Sequence, residues 1–170
     1  AAMELDPSFC SNLKGMVVMG GSLRAGGNIT PAAEANFYHD PHAADYVLRH
    51  GCHITLVGLD VTNRVICPRS FFADLASESP KMGGLLHVMA DFYIDFYETV
   101  GKFSGCGMHD PSALVACVAP ELFTTEPHVL RVTCAGDRSG EMIAKTSANA
   151  QPVNVCTDVQ AEAVKQNFFK

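Results

Sequence analysis

The chain has 170 residues, of which 48% are apolar, and a formal net charge of −6. That length and apolar share suit one domain with a real core and exclude an intrinsically disordered chain. The absence of a basic cluster argues against nucleic acid as a partner, and an acidic balance with carboxylates near a loop suits a divalent cation better.

Taken in order, Ala1 to Leu5 reads as the tail of a helix closed by Asp6-Pro7. Gly15 to Met19 is a short apolar run of strand character, and it empties into a loop holding Gly20, Gly21, Gly26 and Gly27. Thr30-Pro31 pairs a capping hydroxyl with a proline and suits the start of a short helix. Asp40-Pro41 repeats that signal, and Ala43, Ala44, Val47 and Leu48 then mark one helical face that stops at Gly51. Ile54 to Leu59 is a continuous apolar run, as in parallel strands buried on both sides. Pro68 to Ser77 reads as a short helix.

Lys81 to Val100 is the longest periodic element. Leu85, Met89, Phe92, Phe96 and Val100 recur at three- and four-residue steps, which predicts an amphipathic helix packed on the sheet, with its aromatic stripe (Phe92, Tyr93, Phe96, Tyr97) in the core. Gly105-Cys106-Gly107 loosens the chain ahead of His109-Asp110-Pro111, where Asp110 is placed to cap the next helix. Val129 to Cys134 alternates as a strand, Asp137 to Asn149 is polar and loop-like, and Val153 to Cys156 is a final strand. Thr157 or Asp158 caps a last helix that runs to Phe169. Strands alternating with helices predict an α/β fold: an open, mostly parallel sheet flanked by helices, with ligands beyond the carboxyl ends of the strands.

Seven cysteines are present, an odd number with no CxxC spacing. Most sit in apolar runs and read as free thiols rather than a zinc site or a disulfide framework. They point to a reducing, cytoplasmic compartment, and no apolar run of membrane length and no signal peptide stands out.

The loop from Met19 to Pro41 presents Asn28, Glu34 and Asn36, three side chains able to grip hydroxyl groups. By composition alone it is equally a glycine-rich turn whose polar residues face water. The segment GGNITPAAEANFYHDPHAA, the strand ITLVGLDVT and the turn and helix GMHDPSALVACVAPELF, in that order, resemble the inosine–uridine preferring nucleoside hydrolases. The resemblance covers nearly all of residues 5 to 135. That family opens with an aspartate-rich DxDxxxDD motif, which is absent here. Residues 1–170 therefore read as a single partial domain, the carboxy-terminal half of a nucleoside hydrolase domain lacking the amino-terminal strands.

The resemblance implies hydrolysis of the N-glycosidic bond of ribonucleosides, through an oxocarbenium-like sugar. Asn28 and Glu34 would hold the 5′-hydroxyl, Asn36 a ring hydroxyl, and Met19 would line the sugar pocket. Asp110 would bind calcium and a ribose hydroxyl together, and His109 would stand near the leaving base as general acid or positioning donor. Calcium needs about six to eight oxygens, and Asp110 is the only ligand that carries over. The resemblance implies that the remaining carboxylates, and the base that deprotonates water, belong to the opening motif, so the chain alone is expected to be inactive. A nucleoside substrate, a homo-oligomer or an amino-terminal half are the implied partners. The competing reading is a non-catalytic, shortened paralogue that binds nucleosides or a partner subunit; a poorly folding relic is the third. The lack of tryptophan leans the base preference to uridine or broad specificity.

Overall fold

The computed structural model describes residues 1–99, 104–146 and 150–167. A short helix α1 (Ala2–Leu5) and a 3-10 turn (Cys10–Asn12) precede strand β1 (Met16–Met19). After the glycine-rich loop come α2 (Ala35–His39), α3 (Pro41–His50), β2 (Ile54–Val57) and α4 (Leu59–Thr62). The chain continues through β3 (Ile66–Cys67), α5 (Arg69–Glu78), α6 (Met82–Thr99), β4 (Cys106–Gly107) and α7 (His109–Val118). It closes with β5 (Phe123–Val132), β6 (Met142–Lys145), β7 (Val153–Val159) and α8 (Ala161–Gln166).

The main sheet has five strands in the order β1-β2-β7-β5-β6. β1 and β2 run parallel in the register Met16–Ile54 to Met19–Val57, and β2 runs parallel to β7 at Thr55–Asn154 and Leu56–Val155. β5 is antiparallel to β7, with an irregularity between Thr124 and Thr125, and β6 is antiparallel to β5. β1, β2, β7 and β6 therefore share one direction and β5 alone opposes them. This is the open, mostly parallel α/β sheet that the alternating pattern predicts, and among the described residues β1 and β6 are its edges.

Strand alternation divides the core between the two faces. Val17, Met19, Val57 and Cys156 join one cluster with α7, α8, Phe72 of α5 and Ala90 and Ile94 of α6. Met16, Val18, Ile54, Leu56, Val153 and Val155 join the other with Phe37 and with Leu48 of α3. On that second face the buried Asp45 accepts from Arg131 Nε at 2.7 Å and Val132 N at 2.9 Å, and pairs with Arg49 at 3.0 Å. Burial alone would raise this carboxyl; the two arginines and the backbone N–H outweigh it and hold it below its ordinary value. The seven cysteines carry free thiols. Burial pushes Cys67 up to about 12 and Cys156 up to about 11.

The structure corrects several expectations. α6 does not lay its apolar stripe on the sheet: it packs on α5 through Gly83, Ala90, Ile94 and Tyr97, and Leu85, Met89, Phe92 and Phe96 face outward. Val100 lies outside the described residues. The helix has two apolar faces, and periodicity alone chose the wrong one. The polar stretch after Asp137 holds strand β6, whose pairing comes from β5 rather than from any alternation of its own; residues 147–149 lie outside the described ones. β5 begins at Phe123, ahead of the alternating segment. β7 runs on to Val159, so Thr157 and Asp158 stay in the strand and Gln160 stands at the start of α8. Phe169 is outside the described residues. Cys106 and Gly107 pair with β3 instead of loosening the chain.

Candidate functional site

The site is built where β1 and β2 end. Gly20 follows β1 and its N–H donates to Val57 O at 3.4 Å, while Leu59 N donates back to Gly21 O at 3.0 Å. The two strand ends are thus laced together directly beneath the loop. Gly21 has φ +67, and a Cβ there would meet the Phe37 ring at 2.8 Å. At Gly27 a Cβ would lie 2.1 Å from Thr30 O. Only glycine fits these two turns.

Thr30 does not open a helix. Its hydroxyl accepts from Ala32 N and Ala33 N in a local turn, and the chain stays irregular until Glu34. Glu34 is 2% exposed and is itself the cap of α2. Its Oε1 accepts from Asn36 N at 2.8 Å, and its Oε2 accepts from Gly21 N at 2.9 Å and Phe37 N at 3.1 Å. The carboxylate therefore ties the start of the loop to its end. Arg24 pairs with Glu126 across 3.6 Å and not with Glu34. Asn28 Oδ1 accepts from Ala35 N at 2.8 Å.

Asn36 falls in the first turn of α2. Its Nδ2 lies 3.4 Å from Met19 O and 3.3 Å from Met19 Sδ, at the carboxyl end of β1. Met19, Glu34 and Asn36 are thus linked by hydrogen bonds, and Asn28 is tied to the start of α2 through Ala35 N. Asn36 and Met19 line a shallow cleft of about 240 Å³.

His109 and Asp110 open α7, which packs against β1. Met108, not Asp110, precedes the helix; its N–H is held by Val65 O at 2.9 Å. Asp110 is exposed in the first turn, and its carboxylate makes no hydrogen bond to the described residues. The earlier Asp-Pro pair behaves as a cap should, Asp40 accepting from Ala43 N at 2.9 Å. The difference lies in the helix start: α7 begins two residues before Pro111, which leaves Asp110 within the first turn instead of ahead of it. Asp110 and His109 line a cleft of about 400 Å³ with Phe72, Leu86, Met89 and Tyr93.

His109 is held at both ring nitrogens. Nδ1 lies 2.8 Å from Thr62 Oγ1, at the end of α4, and Nε2 lies 3.4 Å from Tyr97 Oη. Tyr97 in turn meets Tyr93 Oη at 3.1 Å. Burial, then the neighbouring Tyr93 hydroxyl, pushes the Tyr97 phenol up, so it stays protonated at neutral pH. A hydroxyl on each side satisfies either tautomer of the ring.

Three participants escaped the sequence reading. Asp60 accepts from Leu23 N at 2.7 Å, Arg24 N at 2.7 Å and Ala25 N at 3.0 Å, clamping the glycine loop from α4. Thr62 and Tyr97 orient His109. Asp60 and Thr62 stand in the GLDVT segment, whose polar residues were visible; their long-range partners were not. Among the described residues, no three His, Cys, Asp or Glu side chains converge as a metal-binding group.

The family model for inosine-uridine preferring nucleoside hydrolases matches residues 1–166. A probable uridine nucleosidase 1 of Oryza sativa subsp. japonica is 39% identical over 142 residues, covering 84% of this chain and 44% of that protein. A non-specific ribonucleoside hydrolase, RihC, of Salmonella schwarzengrund (strain CVM19633) is 40% identical over 130 residues, covering 76% and 40% respectively. A solved plant nucleoside hydrolase, PpNRh1, superposes with a TM-score of 0.92 at 31% identity, over 97% of this chain and 55% of that one. The purine-preferring ribonucleoside hydrolase of Gardnerella vaginalis gives 0.91 at 33% identity, over 98% and 54%. The chain thus spans less than half the length of the two curated relatives and just over half of the two solved chains.

Proposed function

The chain belongs to the inosine–uridine preferring nucleoside hydrolase family, and from that premise we propose that its residues form the carboxy-terminal half of a domain that hydrolyses the N-glycosidic bond of ribonucleosides to ribose and free base. The observation that carries the proposal is the Asn36 side chain held over Met19 at the carboxyl end of β1, where ligands of open α/β sheets bind. Asn36 offers its amide oxygen, and the N–H not turned to Met19, to a ring hydroxyl. Asn28 and Glu34 meet the 5′-hydroxyl, the second through lone pairs left beside its backbone bonds, since each carboxylate oxygen can accept twice. Met19 gives the sugar an apolar wall. Uridine is the favoured substrate, taken from the name of the rice relative at 39% identity.

His109 stands beside the leaving base. Thr62 and Tyr97 fix its ring, so a proton held on either nitrogen is delivered along a defined direction. Asp110 reaches a ribose hydroxyl and serves as one calcium ligand. When bound, that ion would lower the pKa of the attacking water. The residues of this chain do not fit it alone: calcium takes about six to eight oxygens, and Asp110 supplies at most a bidentate pair. The other ligands, and the base acting on water, would come from an amino-terminal part with the aspartate-rich motif.

The test is a reducing-sugar assay of ribose release from uridine and inosine in calcium-containing buffer. The 170-residue chain alone should release none. Joined to the amino-terminal portion of the rice relative, it should turn over. Calcium-dependent turnover by the chain alone would refute the division of ligands; silence from the joined protein, with nucleoside still bound, would favour the non-catalytic paralogue.

A further inference from the structure

We propose that Cys10 and Cys52 form an oxidisable dithiol, a modification site at which hydrogen peroxide closes a disulfide and a dithiol reductant reopens it. Cys10 stands in the 3-10 turn ahead of β1, and Cys52 in the connection between α3 and β2. The two residues are 42 apart in the chain, yet the Cys52 thiol donates to Cys10 O at 3.0 Å. The Cys10 thiol donates to His50 O at 3.7 Å. Each sulfur thus rests on the other's segment. Partial burial, then a hydrogen bond with the Cys10 thiol and its like charge, raises the Cys52 thiol. A hydrogen bond of that kind requires the two side chains to be neighbours. Both cysteines are half-buried, within reach of a small oxidant. Nor do they belong to a metal centre, since among the described residues no three His, Cys, Asp or Glu side chains converge.

The other thiols offer no comparable pair. Cys67 and Cys106 face each other across β3 and β4, but burial pushes them up to about 12 and about 11, and Cys67 is fully buried. Neither presents an accessible thiolate. Cys156 is buried, Cys117 is exposed on α7, and the Cys134 thiol donates to Pro41 O and Val132 O. At the proposed pair the reaction balances with peroxide alone. One thiolate attacks the O–O bond, becomes a sulfenic acid and expels hydroxide, which takes the thiol proton and leaves as water. The second thiol displaces the sulfenic hydroxyl, which leaves as another water, and the S–S bond forms. Two electrons pass from the sulfurs to the peroxide. The bond closes a ring that contains β1, the glycine loop, α2 and α3, with Met19, Asn28, Glu34 and Asn36 inside it. It lies where β1 and β2 begin, beside the bond from Met16 N to His53 O at 3.2 Å, at the other end of β1 from Met19. Oxidation therefore fastens the segment without altering those four side chains, and the closed ring restricts the unfolded chain.

The test is to treat the 170-residue chain with a modest excess of hydrogen peroxide, alkylate the remaining thiols and map tryptic peptides by mass spectrometry. Residues 1–14 should be recovered linked to residues 50–64, the tryptic fragments that carry Cys10 and Cys52. The urea midpoint of the oxidised chain should rise by about 1 M and return to its starting value with dithiothreitol. Cys10→Ser and Cys52→Ser should each abolish the rise, whereas Cys117→Ser should keep it. The peptide map needs no substitution, so it stands even where a variant folds poorly. Recovery of both fragments unlinked, links to other cysteines or between chains, or sulfinic acid in place of the link would overturn the proposal. So would a link that leaves the urea midpoint unmoved.

Discussion

The loop after β1 and the start of α7 line separate clefts and are held in different ways. In the loop, the carboxylates are spent on the backbone: Glu34 takes three N–H groups and Asp60 takes three more. At the start of α7, the His109 ring meets side-chain hydroxyls. His109 is suspended between Thr62 and Tyr97, and Asp110 lies exposed with no partner among the described residues. The contrast is between a loop whose acids hold its own backbone and a helix start whose acid faces outward.

That contrast gives substitutions with ranked effects. Glu34→Ala should be the most damaging to stability, because it strips the cap of α2 and orphans buried N–H groups. A loss of about 2–4 kcal/mol is expected from cap and unsatisfied-donor costs, measured by urea unfolding. Asp60→Ala should follow at about 1–3 kcal/mol, since its three donors are nearer water. A loss below 0.5 kcal/mol for either would break the claim that these acids hold the loop. Asp110→Ala should change stability by no more than about 0.5 kcal/mol, as for an exposed side chain without partners. A large loss there would mean that Asp110 holds the helix start, and the contrast would disappear.

Much of this was legible in the chain. The strand Met16–Met19, the helix capped by Asp40-Pro41 and the buried strand Ile54–Val57 announce themselves through apolar runs and local cap chemistry, which act within a few residues. Asn36 and Met19 were singled out by resemblance, and the structure brings their side chains together. What escaped depended on distance. Asp60 finds its donors some 36 residues away, and β6 exists because β5 offers it an edge. α6 misled for another reason: its stripe is real, but a helix with two apolar faces does not say which one its own chain will cover.

The most direct measurement of the central claim is kcat/KM for ribose release from uridine by the chain joined to a relative's amino-terminal portion, compared across Asn36→Ala, Asp110→Ala and His87→Ala. If the two strand-end segments grip one pentose, the first two substitutions cost at least a hundredfold, about 2.7 kcal/mol of transition-state stabilisation, and His87→Ala costs less than threefold. Equal losses in all three, or full activity without Asn36 or Asp110, would contradict the account.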